Sequence, residues 1–230
     1  MPPETKAIHE FEHVLSSDMD LQDALRSRTL DGYAVRGFEV KHCSLESVQL
    51  KNVLFHLLSM SGICGNDVVA EAIQITQSTL CNASFKRSEI DGLNMLNCQA
   101  RECEFDESVI ENSSFFSSEI QNMSFRHAKL IKTQFQDVNG YGAKFSNAFL
   151  AQCQFSDTRS SVAEFSRADF TRAMLIDVSL KNANLFASNF SDAILIRCDL
   201  RGVNLAMADL RGAAIIDCKY GPGDFDGAQR

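Results

Sequence analysis

The chain has 230 residues, 45% of them hydrophobic and 23% charged, with three prolines and 30 acidic against 22 basic side chains for a net charge of −8. That composition excludes a disordered chain, and no run of about 18 apolar residues is present to form a membrane-spanning helix. A net negative surface repels nucleic acid in general and favours basic partners, or simply keeps the protein soluble. The N-terminus lacks the apolar stretch of a secretory signal, so a soluble cytoplasmic protein is expected.

In chain order, residues 1–28 read as a helical cap. After Pro2 and Pro3, Ile8, Phe11, Val14 and Leu15 have helical spacing. Leu21, Ala24 and Leu25 suggest a second short helix, N-capped by Ser17 or Asp18.

From there a period of five takes over. Large apolar residues recur at Leu30, Val35, Val40, Leu45, Leu50, Phe55, Met60 and Ile75, with a bulky second column two residues earlier at Tyr33, Phe38, Val48 and Leu58. The spacing predicts irregular coils over 29–77. Gly65 and Ala70 fall at large positions, so 61–72 is either a distorted coil or a projecting loop.

Over 78–225 the pattern is strict. Every fifth residue from Leu80 to Phe225 is large and apolar except Ala100, Gly140 and Ser160, and the residue two places earlier is nearly always small. Thr158–Val162 is a second candidate irregularity, and 226–230 form a tail. A helix repeats every 3.6 residues and a strand every two, so neither holds a period of five. A chain that turns one corner every five residues does. Each side then sends one large and one small residue inward. Four sides close a coil, which brings the chain over its starting point twenty positions on. Coils stack at roughly the 4.8 Å inter-strand spacing.

Eight cysteines and five histidines form no metal-finger pattern. Cys43, Cys98, Cys103, Cys153, Cys198 and Cys218 fall in the small inward column, where thiols act as small hydrophobes. Cys198 and Cys218 lie one coil apart, near enough to be joined, although a reducing cytosol opposes a disulfide. Cys64 and Cys81 fall on outward positions as candidate reactive thiols. His9 and His13 share one expected helix face, while His42, His56 and His127 are scattered. No phosphate loop, nucleophile elbow or metal motif is present, and the reading is a non-enzyme with no catalytic, cofactor or metal residues.

Two outward features stand out when residues 20 apart are aligned. Leu96, Phe116, Met174, Ile176, Ile194, Ile196 and Ile216 flank one inward column and form a candidate contact for a partner or a second copy, unless a terminal segment folds over them. Beside them Asp137, Asp157, Asp177 and Asp217 form an acidic ladder interrupted by Arg197, either a groove for a basic surface or polar residues tolerated at a turn.

Ala168-Asp169-Phe170, Ala183-Asn184-Leu185, Val203-Asn204-Leu205 and Ala208-Asp209-Leu210 resemble the Ala-Asp/Asn-Leu-X-X consensus of the pentapeptide-repeat family. The resemblance implies an all-β fold, a right-handed quadrilateral β-helix. It also implies a protein-binding function. Some members are acidic, DNA-mimicking solenoids that occupy DNA gyrase, a topoisomerase, and protect it from quinolones or toxins, giving antibiotic resistance. The alternative is a scaffold or regulator that binds another protein through the apolar face. No direct nucleic-acid or membrane binding is expected. Some members dimerise through a C-terminal helix, for which no residues remain after Phe225.

Overall fold

The computed structural model describes residues 7–41 and 43–230, so Pro2, Pro3 and His42 lie outside the described residues. The period of five is realised as a four-sided parallel β-solenoid, in which every pairing joins residues 20 apart. Along one face the stack runs unbroken through eleven rungs, from His13–Leu15 through Tyr33–Arg36 to Ala214–Ile216. Backbone N–H groups donate to carbonyls one coil away, as in Val40 to Ser59 at 2.8 Å and Leu210 to Gln229 at 2.7 Å.

The corners explain why five residues suffice for a side. At Leu80–Ala83 the Ala83 N–H returns to the Leu80 carbonyl at 2.9 Å, and Asn82 has φ +60°. A positive φ at the third residue of a turn is tolerated best by Gly, Asn and Asp. The same repeat position is left-handed at Asn52, Asn97, Asn122, Asp137, Asp157, Asn182, Gly202 and Gly212. The outward Asn, Asp and Gly residues are therefore there for backbone geometry as well as solubility.

Inside, the large residues stack as ladders. Phe115, Phe135 and Phe155 lie ring on ring with centroids 4.9 and 4.7 Å apart. Phe125, Phe145 and Phe165 do the same at 4.9 Å, and the two ladders meet edge to face. Gly140 and Ser160 stack on one another in the next large column, where a Cβ on Gly140 would lie 3.1 Å from Ser160 Oγ. The small column is equally ordered. Ser108 Oγ donates to the Phe85 carbonyl at 2.8 Å and Cys98 Sγ to that of Ile75 at 3.2 Å. Each bond satisfies a polar atom where the interior has no room for a larger group.

Three expectations change. Residues 8–15 are not a helix: Ile8–Glu10 is a single 3₁₀ turn, and β1 (His13–Leu15) is a strand paired with Tyr33–Val35. An available strand edge on the first coil wins over a spacing that two apolar pairs only suggested. The α-helix α1 (Asp18–Ala24) does form, N-capped by Ser17, and its Leu21 is buried against the first coils. Residues 61–72 are a coil in register, with the Gly65 N–H on the Ser84 carbonyl at 2.7 Å and Val69 paired with Gln49 and Glu89. Thr158–Val162 is likewise regular, with Ser160 pointing inward.

Candidate protein-binding surface

The outward apolar residues sit on the face that carries the eleven-rung stack. Its strands Gln134–Gln136, Gln154–Ser156, Met174–Ile176, Ile194–Ile196 and Ala214–Ile216 pair in register. Leu175 and Leu195 point inward and are buried, while Met174, Ile194 and Ile216 are 37, 36 and 47% exposed. Ile176 and Ile196 are half-buried by their neighbours in the turn. Five apolar side chains over three rungs thus share one surface.

Leu96 and Phe116 lie on the same face but not in the same patch. In the register Leu96–Phe116–Gln136–Ser156–Ile176, two polar rungs separate them from the isoleucines. Leu96 instead adjoins a groove of about 330 Å³ shared with Ala7, Ile8, Leu54 and His56, where the N-terminal segment lies beside it. In that groove His56 Nδ1 is 2.8 Å from Thr76 Oγ1, and burial together with the Arg36 charge lowers the imidazole's proton affinity.

The four aspartates of the acidic ladder all occupy left-handed corner positions, with φ between +52° and +55°. Their spacing is that of the coils, roughly 5 Å. The row is partly neutralised from within. Arg197 donates Nε and Nη2 to the two Asp177 carboxylate oxygens at 2.8 and 2.6 Å, holding that carboxyl below the usual aspartate range. Ser117 Oγ donates to Asp137 at 2.9 Å.

A second acidic column escaped the sequence reading. Glu71, Asp91 and Glu111 stack in register on the preceding corner of the N-terminal half, with Lys51 3.3 Å from Glu71. The signal is in the sequence, since the three are 20 apart at outward positions.

Among the cysteines, burial raises the thiol pKa of Cys98 to about 11 and of Cys103, Cys153 and Cys198 to about 12. Cys198 and Cys218 are stacked thiols, with the Cys198 N–H 3.3 Å from Cys218 Sγ. Among the described residues, no group of three or more His, Cys, Asp or Glu is placed to hold a metal, and no helix is long and apolar enough to cross a membrane.

A sequence model of pentapeptide repeats matches residues 118–157, 163–202 and 179–215, in eight copies. No curated protein matches the chain. Among solved structures it is similar to HetL, a pentapeptide-repeat protein involved in heterocyst differentiation regulation in the cyanobacterium Nostoc sp. The TM-score is 0.61 at 20% identity, over 81% of this chain and 86% of that one. QnrB1, a plasmid-mediated fluoroquinolone resistance protein, matches with a TM-score of 0.35 at 16% identity, over 91% of this chain and 92% of that one.

Proposed function

Because its C-terminal half is built of pentapeptide repeats, we propose that this solenoid is a non-enzymatic protein-binding module whose contact surface is the face carrying Met174, Ile176, Ile194, Ile196 and Ile216. The observation that carries the reading is the in-register exposure of these side chains over three successive rungs, next to five-residue sides whose other outward positions are mostly polar. A solenoid filled by its own side chains offers rigid flat faces rather than an enclosed substrate site. The test is retention of proteins from native lysate by the immobilised chain and by an Ile176→Asp/Ile196→Asp variant. Equal retention by both removes the face from the function.

A second reading is a DNA-mimicking inhibitor or protector of gyrase. Its support is the net charge of −8 and the spaced carboxylates of Asp137, Asp157 and Asp177. They run along a rod whose repeat is roughly 4.8 Å. A supercoiling assay with purified gyrase, with and without a quinolone, tests it. No inhibition and no protection set it aside.

A further inference from the structure

Each rung of the proposed contact face runs from one corner residue to the next, and in three of its five rungs both edge corners carry charge; Gln152 and Gly212 open the other two. Arg172 opens the rung that Asp177 closes. One rung on, the signs reverse together: Asp192 opens and Arg197 closes. Two rungs before, Lys132 opens and Asp137 closes, with Gln152 and Asp157 between them in the stack. All of these residues except Gln152 and Gly212 are charged, all have left-handed φ between +50° and +72°, and all are exposed. The arginine that interrupts the acidic edge is thus matched, on its own rung, by the aspartate that interrupts the basic edge.

From this pattern we infer that the face pairs with a second copy of the chain, the two solenoid axes parallel and equal rungs opposed. The inference rests on the proposed contact face and names its occupant. A twofold axis running along the solenoid brings the opening edge of each rung against the closing edge of the same rung in the partner. Lys132 then meets the partner's Asp137, Arg172 meets the partner's Asp177, and Asp192 meets the partner's Arg197. Each contact occurs twice, as an isologous interface requires. The apolar and polar rungs also match themselves: Met174 faces the partner's Ile176, Ile194 faces the partner's Ile196, and Gln134 faces the partner's Gln136.

The antiparallel alternative is worse. A twofold across the rungs, placed between those of Leu175 and Leu195, also opposes Arg172 with the partner's Asp192. It then sets Asp157 against the partner's Asp217 at both ends, and like charges opposed across an interface are costly. The parallel arrangement opposes no like charges. Packed sheets lie about 10 Å apart, within reach of an arginine from one corner to a carboxylate on the other. In the single chain Arg197 is held by Asp177, and Arg172 lies 4.0 Å from Asp192. Pairing adds a carboxylate across the interface without burying any charge unpaired. Five rungs of one face span roughly 24 Å, at the small end of specific interfaces, so the dimer is weak and salt-sensitive.

Sedimentation velocity on the full chain, from micromolar to near-millimolar protein, tests this. The expected result is a concentration-dependent monomer–dimer equilibrium. Arg172→Asp alone, and Asp177→Arg alone, each weaken it by at least about tenfold. An equimolar mixture of the two recovers a heterodimer, and the double reversal Arg172→Asp/Asp177→Arg self-associates within about threefold of the original. The same exchange at Lys132 and Asp137 is an independent repeat. Thermal melts of every variant exclude loss of fold, which is not expected because Arg and Asp already occupy these left-handed positions.

A wild-type chain that stays monomeric throughout overturns the inference. So does a dimer indifferent to both single reversals, or a double reversal weaker than either single one, which is the antiparallel outcome. If the chain is monomeric while Ile176→Asp/Ile196→Asp still loses other retained proteins, self-pairing falls and the contact face stands. If retention is also unaffected, both fall.

Discussion

Phe85 occupies the space that a side chain at Gly65 would need: a Cβ built on Gly65 lies 2.6 Å from Phe85 Cε1 and 2.7 Å from Cδ1. Gly65 stands in an inward ladder between Leu45 and Phe85, where the repeat otherwise places a large residue. Only a void of about 30 Å³ remains among Leu45, Phe55, Ala70 and Phe85, so the ring has largely filled the gap. Gly65→Ala therefore overpacks the coil and costs about 1–3 kcal/mol in urea denaturation. Adding Phe85→Leu recovers part of that loss. A neutral Gly65→Ala would show that the ring moves freely.

Val162 is a β-branched residue at φ +59°. The left-handed conformation costs a non-glycine residue about 1–2 kcal/mol. The equivalent corners of neighbouring coils hold Asn122, Gly142, Asn182 and Gly202. Val162→Asn keeps the N–H that donates to the Lys181 carbonyl at 3.0 Å. The substitution is expected to raise stability by about 1 kcal/mol. A thermal midpoint unchanged or lowered by it contradicts the strain.

Thr158 points inward between Val138 and Val178, and its hydroxyl is buried without a hydrogen-bond partner. Replacing it with valine keeps the shape and removes an unsatisfied donor. Thr158→Val is expected to stabilise by about 1 kcal/mol in equilibrium unfolding, whereas a loss would reveal a partner for the hydroxyl.

The period of five was enough to read the architecture, because an inward residue every fifth place leaves no other chain path that buries them all. Gly65, Gly140 and Ser160 marked apparent faults. They are not faults: the Phe85 ring one coil on fills the place of a Gly65 side chain, the chain stays in register through Gly140 and Ser160, and a linear pattern does not show volume shared between coils. The N-terminal strand His13–Leu15 was misread as helical for a related reason. Its pairing partner, Tyr33–Val35, lies a whole coil further along the chain, and local spacing holds no record of it. The apolar face was legible residue by residue, but its division into two patches needed the registered glutamines and serine between Phe116 and Ile176.

Thiol labelling separates the two classes of cysteine. Cys98, Cys103, Cys153 and Cys198 are buried with thiol pKa values pushed up to about 11–12, so at pH 8 the thiolate is scarce and shielded. A disulfide reagent on the native protein reacts in a fast phase at the partly exposed Cys64, Cys81 and Cys218, slowly at Cys43, whose thiol pKa is pushed up to about 12 by burial and Asp18, and at the buried four only on unfolding. Cys64→Ser/Cys81→Ser removes most of the fast amplitude. Fast labelling that survives those changes and Cys218→Ser would mean that the coils open readily.

Asp209 accepts hydrogen bonds from the Arg211 guanidinium and backbone N–H, which lower its pKa to about 2; Arg197 acts in the same direction on Asp177. A carboxyl depressed in the folded state contributes stability above its unfolded value near 3.8, and that contribution is lost as pH falls through the folded value. NMR titration should place Asp209 near 2 in the wild type and clearly higher in Arg211→Ala, which keeps the backbone N–H bond. An unmoved titration in that variant would assign the shift elsewhere.

The twenty-residue coil quantises how this chain can change length. Removing one five-residue side, Ser166 to Phe170, keeps every downstream ladder supplied, yet turns the rest of the rod by a quarter revolution. Ile176 and Ile196 would then stay aligned with each other but no longer with Asp157 or Lys132. Only insertions and deletions of whole coils preserve the exterior, so a surface spread over several rungs constrains indels far more tightly than the interior does.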